Sequence, residues 1–348
     1  MLLACAKLGR YPTPVLTGVL MSGLSDYLSD ELLKALRWLG VATAALWLSG
    51  CATPTLQLAA LQAQWPAYLP SQAQISNVPF IAQEDYQCGP AALAMAAQHA
   101  GVQRDMATWV EQVYVPARQG ALQSEMLAAS RRNGLPAYTL APRIDALLRE
   151  VAAGNPVLVL QNLGLAWSPV WHYAVVIGFD QTQGTVTLHS GRTASMPMPL
   201  TTFDRTWARA ERWAMVALAP QRLPATAQAD AYVASVVALE RVQPAAAQTA
   251  YATALRTWPA HRIALMGAGN SAYALGQLVA AQQAYRAAAQ AYPQDGDAWN
   301  NLAQVLLDTG QHRAALEAAQ RAVAAGGKRA VQYQNLLQEI VSKTPTSQ

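Results

Sequence analysis

Gln83-Glu84-Asp85-Tyr86-Gln87-Cys88-Gly89-Pro90-Ala91-Ala92-Leu93 is the stretch that decides how this chain folds. It predicts a polar loop that runs straight into a helix, with a cysteine at the first turn. Pro90 suits that turn because the N–H that proline lacks would have no partner there. Strong helix formers follow in residues 91–100, and Gly101 ends the helix. Cys88 therefore lies where the helix dipole favours a thiolate, although free cysteines are also common as inert core residues.

A second stretch predicts a buried strand that begins with a histidine: Trp171-His172-Tyr173-Ala174-Val175-Val176-Ile177-Gly178-Phe179-Asp180. A lone histidine is more often a satisfied core residue than a catalytic one. A cysteine at a helix start and a histidine at a strand start, far apart in sequence, are typical of papain-like thiol–imidazole sites. The pairing of His172 with Cys88, and neither residue alone, favours a catalytic interpretation.

These motifs resemble those of the bacteriocin-processing cysteine peptidases, papain-like enzymes that remove double-glycine leader peptides. The resemblance covers residues 76–218 and includes Val78-Pro79-Phe80-Ile81 ahead of the cysteine. It implies that Cys88 is the nucleophile and His172 the base, with no metal or organic cofactor. It also implies a glutamine that stabilises the oxyanion. Gln83 is our candidate, five residues before the cysteine, where the related enzymes have six.

The third catalytic member departs from the family pattern. The related enzymes carry an aspartate on the next strand to orient the imidazole, whereas residues 185–191 contain no carboxylate. A hairpin after the His172 strand would bring His189 and Ser190 back beside it, so these two residues are the candidates by position. Neither supplies the charge of a carboxylate. Three alternatives follow: a Cys–His dyad, a carboxylate from elsewhere such as Asp204, or an inactive relative.

The N-terminus is predicted to be a signal peptide that spans residues 1–50. Its apolar core, residues 39–50, follows a basic flank and is too short for a stable membrane span. The sequence Leu48-Ser49-Gly50-Cys51 resembles a bacterial lipobox, which implies cleavage before Cys51 and lipidation of that residue. If translation starts at Met21, residues 1–20 are not part of the protein.

Residues 51–75 are predicted to be a proline-containing tether between the lipid and the fold. We therefore expect a lipid-anchored protein of the bacterial cell envelope that faces the periplasm, at the outer rather than the inner membrane. If Cys51 is lipidated, Cys88 would have no disulfide partner in the mature chain, because Cys5 is removed with the signal peptide. A lone thiol in an oxidising compartment would suggest a functional role.

Composition predicts a two-domain protein that does not bind nucleic acid. The chain has 348 residues, of which 53% are hydrophobic and only 13% are charged. The net charge of +4 is small and dispersed, which argues against a nucleic-acid surface. No apolar run after residue 51 is long enough to span a bilayer.

Residues 225–342 differ in composition, being alanine-rich and periodic. Pairs of like residues recur 34 residues apart: Trp258 and Tyr292, Gly276 and Gly310, Tyr251 and Tyr285, Ala254 and Ala288, Ala281 and Ala315. This period resembles tetratricopeptide repeats, with about three repeats and a capping helix at residues 331–341. Such arrays bind peptides or proteins in a concave groove, although the fold does not name the ligand. The alternative is that the array only covers the first domain.

Together these features predict an α+β papain-like cysteine peptidase domain at residues 76–220, followed by an all-α repeat domain. The predicted activity is that of a cysteine endopeptidase that cleaves peptide bonds in a peptide or protein substrate, with repeats that recruit the substrate or a partner protein. One alternative is an inactive scaffold of the same fold. Another is amide transfer, because the sequence does not distinguish between acyl acceptors.

Overall fold

The computed structural model describes residues 38–39 and 55–343 of the chain. The predicted signal peptide and the lipidation site at Cys51 lie outside the described residues, apart from the helical Trp38 and Leu39. The described residues contain no helix that is both long and apolar enough to cross a bilayer.

The first domain combines short helices with a seven-stranded antiparallel sheet and a separate two-stranded sheet formed by β2 and β3. Its helices are α1 (Leu56–Ala63), α2 (Cys88–His99), α3 (Met106–Val113), α4 (Gln123–Arg132), α5 (Ile144–Ala152) and α6 (Leu200–Ala208). Its strands are β1 (Gln72–Gln74), β2 (Tyr114–Val115), β3 (Gly120–Ala121), β4 (Ala137–Thr139), β5 (Val157–Asn162), β6 (Trp171–Asp180), β7 (Thr185–Ser190), β8 (Thr193–Pro199) and β9 (Ala214–Ala217).

Strand β6 is the centre of the main sheet, whose strand order is β4-β9-β5-β6-β7-β8, with β1 also paired to β6. The start of β6 pairs with β5, so that Gln161 lies opposite His172. On its other side β6 pairs with β7, with Val175 opposite His189. The hairpin predicted after His172 is therefore present. Strand β6 begins, and strand β7 ends, at the same edge of the sheet.

Helix α2 lies against the sheet and is buried along almost its whole length, from Cys88 to Ala97. Its alanines allow this close approach because they add little side-chain volume. Gly89 approaches most closely: a Cβ at this position would collide with the Cβ of Ala121. The small residues of the Cys88 segment are thus required by packing as well as by helix propensity.

Residues 55–75 do not form the tether expected from the sequence. They fold as α1 and β1, with Leu58 and Leu61 buried in the domain core. Strand β1 pairs with the far end of β6, and the ring centroid of Trp65 lies 6.1 Å from that of Phe179. The expectation was wrong because this segment is stabilised by contacts with distant residues and carries little periodicity of its own.

Four further elements were not predicted from the sequence. They are strands β2, β3 and β8 and helix α6. Strand β8 alternates exposed and half-buried residues and contains prolines, which suits an edge strand. Its weak signal follows from that edge position, because few of its side chains face the core.

The second domain is a stack of antiparallel helix pairs. Its helices are α7 (Ala229–Glu240), α8 (Pro244–Thr257), α9 (Arg262–Ala274), α10 (Leu278–Ala291), α11 (Gly296–Asp308), α12 (His312–Ala325) and α13 (Ala330–Lys343). The turns at Gly276 and Gly310, 34 residues apart, have the same left-handed φ of +71°, which glycine adopts without strain. The predicted period therefore corresponds to one helix pair, and α13 covers the last pair as expected.

The two domains share a continuous core, although the composition changes near residue 222. Tyr232 of α7 is fully buried, and its ring centroid lies 6.5 Å from that of Tyr138 in β4. At the joint, the buried carboxylate of Glu150 accepts hydrogen bonds from the backbone N–H groups of Ala225 and Thr226, at 3.0 and 2.7 Å. The segment between the two folds is thus held against the first domain by a buried carboxylate.

Candidate active site

His172 lies at the start of β6, and its imidazole is largely buried. Its Nε2 is 2.9 Å from Oγ of Ser190, which leaves Nδ1 as the nitrogen that could take a proton from a thiol. Burial lowers the pKa of His172 to about 4, because a charged imidazolium would lose its hydration there. The ring is therefore neutral at neutral pH, and a resting thiolate–imidazolium pair with Cys88 is disfavoured.

Ser190 and His189 face opposite sides of the sheet, as successive strand residues do. Ser190 lies on the same face as His172 and contacts it, as hairpin geometry predicts. His189 accepts a hydrogen bond at Nδ1 from the N–H of Ser195 and donates from Nε2 to the carbonyl of Val78, at 3.1 and 3.2 Å. The prediction that His189 could orient His172 is therefore wrong, because its ring faces away and both of its nitrogens are occupied.

Cys88 is the first residue of α2 and is almost fully buried. The next residue, Gly89, packs against the residue that follows His172, since a Cβ on Gly89 would lie 3.5 Å from Cδ2 of Tyr173. The helix start and the strand start therefore meet at the same place. The sulfur of Cys88 is disulfide-bonded in this structure, unlike the lone thiol expected after processing. Its reduced form is the one that could act as a nucleophile.

Gln83 lies in the loop before α2 and is held against the end of β7. Its backbone N–H donates to the carbonyl of Gly191 at 3.2 Å. Its side-chain Nε2 would lie 4.0 Å from a Cβ on Gly191, the residue after Ser190. Gln83 thus adjoins the segment that contacts His172. The other glutamine of the loop, Gln87, caps α2 through its backbone carbonyl, which accepts from the N–H of Ala91 at 3.0 Å.

The loop between Gln83 and Cys88 contains a strained residue. Tyr86 has a left-handed backbone with φ of 63°, an uncommon conformation for an aromatic residue. Such a conformation costs about 1–2 kcal/mol and persists only where the surroundings impose it. The strain lies two residues before Cys88, where the chain must turn sharply from the loop into the helix.

Asp204 does not orient His172, although the sequence left it as an alternative source of a carboxylate. It is fully buried in α6 and accepts hydrogen bonds from Oγ1 of Thr55 and from Nε of Arg212, the latter at 3.2 Å. Among the described contacts, its carboxylate is thus used to fix the N-terminal segment to the domain.

Gln161 is a residue of the site that sequence reasoning missed. It lies directly opposite His172 on β5, so the two side chains share one face of the sheet. Its Nε2 donates to Oγ1 of Thr206 at 2.6 Å, while its fully buried Oε1 has no hydrogen-bond partner among the described residues. A polar residue at the end of the apolar run of residues 157–160 was the available signal.

Within the described part of the chain, no group of three or more His, Cys, Asp or Glu side chains could hold a metal ion. The site consists of a helix-start cysteine, a buried neutral imidazole with a hydroxyl partner, and two amide side chains. This donor set suits thiol chemistry with amide groups to stabilise a developing negative charge.

Comparisons with known proteins agree with this two-domain description. The Peptidase_C39 like family matches residues 75–215, and a tetratricopeptide repeat family matches residues 232–295 and 268–330. No curated protein matches the chain.

Three solved structures are similar to parts of the chain, all at low identity. A C39-like peptidase from Bacillus anthracis is 20% identical over 43% of this chain and 98% of its own, with a TM-score of 0.38. A double glycine motif protease from an AMS/PCAT transporter, solved with its leader peptide, is 20% identical over 42% and 93%, with a TM-score of 0.32. The Sgt2 TPR domain from Aspergillus fumigatus is 23% identical over 34% and 86%, with a TM-score of 0.31.

The first match includes the motifs around Cys88 and His172 and begins after α1 and β1, and the second covers the helical repeats from α7 to α12. The chain therefore contains a C39-like α+β peptidase domain followed by tetratricopeptide repeats.

Proposed function

We propose that this protein is an envelope-anchored cysteine endopeptidase in which Cys88 and His172 form the catalytic pair. The observation that carries the proposal is the hydrogen-bonded His172–Ser190 pair at the strand start that meets the first turn of α2. In the proposed site, Nδ1 of His172, the ring nitrogen that is not bonded to Ser190, faces the sulfur of Cys88 at the start of α2. The C39-like family match supports a peptide or protein substrate.

The proposed reaction begins with reduced Cys88. As its sulfur attacks the carbonyl carbon of the scissile peptide bond, Nδ1 of His172 takes the thiol proton. The tetrahedral intermediate collapses when the imidazolium returns that proton to the leaving amine, which leaves an acyl-enzyme. Water, deprotonated by the same imidazole, then releases the second product. Because burial disfavours the imidazolium, proton transfer coincides with attack and does not precede it.

Gln83 is the proposed oxyanion donor, together with the backbone N–H of Cys88. Its side chain lies beside Gly191, at the same edge of the sheet as the His172–Ser190 pair. A donor aimed at the developing oxyanion contributes about 10²–10³ in kcat. Gln83→Ala should therefore lower kcat by that factor, whereas Gln87→Ala is the matched control from the same loop and should change it little.

The test of the activity uses the full chain under reducing conditions, so that Cys88 is a thiol. A peptide library is incubated with the wild type, Cys88→Ala and His172→Ala, and products are identified by mass spectrometry. We expect cleavage by the wild type only. The proposal fails if Cys88→Ala cleaves as the wild type does. If only the wild type cleaves, trapping with Cys88→Ala would identify the natural substrate, which the repeats are proposed to recruit.

The anchor is the second part of the proposal. Lipidation of Cys51 would hold the protein at the periplasmic face of a membrane, in our proposal the outer membrane. The lipobox-like sequence before Cys51 supports it. Cys51→Ser should abolish incorporation of a labelled fatty acid, and unchanged labelling in that variant would contradict the anchor.

A second candidate function is an inactive scaffold that binds peptides without cleaving them. Ser190 stands where a carboxylate would stabilise an imidazolium, and this observation favours the scaffold. It makes a distinct prediction: peptides would bind the reduced wild type and Cys88→Ala equally and would be recovered intact from both.

A further inference from the structure

Three apolar side chains project from the loop between β5 and β6. Leu163, Leu165 and Trp167 are 44%, 55% and 82% exposed, whereas most other large apolar residues of this domain are buried or half-buried. We call these three residues the apolar tip. Exposing them together is unfavourable in water, so a cluster of this kind usually marks a surface that contacts something else.

The apolar tip stands on a rigid base. The side chain of Asn162 accepts hydrogen bonds from the backbone N–H groups of Gly164 and Val170, both at 3.0 Å. Leu165 and Ser168 exchange two backbone hydrogen bonds of 3.1 Å. These hydrogen bonds fix the backbone of the loop. Its apolar side chains are therefore held in an exposed position.

Asn162, at the base of this loop, is also connected through helix α6 to Thr55, the first residue of the described segment 55–343. Arg209, just after α6, donates two hydrogen bonds to the carbonyl of Asn162, at 3.1 and 2.9 Å. Asp204, five residues earlier, accepts a hydrogen bond from Thr55. On a helix this separation is about 7.5 Å along the axis. Leu56, the residue after Thr55, is 91% exposed. A fourth exposed apolar side chain therefore lies next to the residue that contacts Asp204.

We propose that the apolar tip and Leu56 insert into the lipid surface of the membrane that carries this protein. Tryptophan and leucine on an exposed projection suit the boundary between headgroups and acyl chains, where the indole ring is favoured. Only residues 52–54 separate Cys51 from Thr55, so the two residues lie at most about 14 Å apart. A lipid on Cys51 would therefore hold this face of the domain against the bilayer.

A peptide substrate is the other class of occupant, and the geometry favours lipid. A peptide subsite is concave and surrounds the bound side chain, whereas the side chains of the apolar tip are themselves 44–82% exposed. The tip also leads directly into the His172 strand. Its insertion would hold the candidate active site near the bilayer surface, where it would meet segments of polypeptide that lie close to the membrane.

The experiment measures binding to vesicles without the lipid anchor. Residues 52–348, which retain every described element from Thr55 onward, are sedimented with vesicles of phosphatidylethanolamine and phosphatidylglycerol. The test variant is Leu165→Ser/Trp167→Ser. The matched control is Val279→Ser/Val331→Ser, which removes two side chains of the repeats that are 68% and 69% exposed. Thermal melts verify that all three chains fold.

We expect the wild type and the control to sediment with vesicles, and the tip variant to bind at least about tenfold more weakly, because it loses two apolar side chains. The inference is overturned if the wild type does not bind, if the tip variant binds as the wild type does, or if both variants lose binding equally. Because this test needs neither lipidation nor peptidase activity, its outcome is independent of the proposed function.

Discussion

Oγ of Ser190, on β7, lies 2.9 Å from Nε2 of His172, on β6, and provides a hydroxyl and not a carboxylate beside the imidazole. A hydroxyl fixes the orientation of the imidazole ring but does not neutralise its positive charge. The partner therefore favours one tautomer of His172 without raising its basicity. Because this pair is compatible both with a slow peptidase and with a scaffold, the reactivity of Cys88 is what distinguishes the two functional alternatives.

Ser190→Asp should convert the site into one with a resting ion pair. A carboxylate within hydrogen-bonding distance raises the pKa of an imidazole, typically by 1–3 pH units, and the resulting imidazolium favours a Cys88 thiolate. We expect iodoacetamide to alkylate reduced Cys88 about tenfold faster at pH 6 in this variant than in the wild type. The measurement is the pH dependence of the alkylation rate.

The matched control for this substitution is Ser190→Asn, which has nearly the shape of aspartate and no charge. Its alkylation curve should follow that of the wild type. Equal acceleration by both substitutions would show that volume and not charge is responsible. An unchanged curve in Ser190→Asp would contradict the pairing of Cys88 with His172.

The lowered pKa of His172 makes the stability of the fold depend on pH. Between pH 6.5 and about 4, the unfolded chain binds a proton at this residue and the folded chain does not. Stability therefore falls as the pH falls through this window, by about 3 kcal/mol from this one group. His172→Gln removes the group, so the difference in unfolding free energy between wild type and variant should change by this amount between pH 7 and pH 4. Denaturant titrations at both pH values measure it, and a difference that is constant with pH would contradict a buried neutral ring.

The sequence predicted the position of Ser190 because hairpin geometry is local: two strands and one short turn determine which residues return beside His172. The error at His189 has an equally local cause. Successive strand residues face opposite sides of the sheet, so at most one of the two candidates could reach the ring.

Other parts of the fold depend on distant contacts and were not accessible from the sequence. The 55–75 segment is stabilised by its pairing with the end of β6 and by burial of Leu58 in a core built by later residues. The partners of Asp204 could not be inferred, because one of them, Thr55, lies 149 residues earlier in the sequence. The other is Arg212. The exposure of Trp167 was equally inaccessible, since an apolar residue beside a buried strand is ordinarily expected to be buried.

Gln161 should matter for activity and not for stability. Its unpartnered buried Oε1 faces the side of the sheet that carries His172, where an acceptor stabilises a transient imidazolium. Gln161→Leu should lower kcat about tenfold, while the melting temperature stays the same or rises, because an unsatisfied buried polar atom is removed. Thr206→Val removes the hydroxyl that accepts from Nε2 of Gln161, and it should lower kcat by a smaller factor. A parallel loss of stability and activity in Gln161→Leu would indicate a purely structural role.

The joint between the domains should be sensitive to the loss of one acceptor. Both carboxylate oxygens of Glu150 accept hydrogen bonds: Oε1 from the N–H and hydroxyl of Thr226, and Oε2 from the N–H of Ala225 and from Nδ2 of Asn155. Glu150→Gln places an amide NH2 against donors, so one end of the network loses its partners at a cost of about 2–4 kcal/mol. For a chain of this size, the melting temperature should fall by about 5–10 °C. Glu317→Gln, which removes an exposed carboxylate 3.5 Å from Arg313, is the matched control and should shift it by little more than 1 °C. Because the core is continuous across the joint, a single transition is expected in Glu150→Gln, and separate melting of the two domains would show that they fold independently.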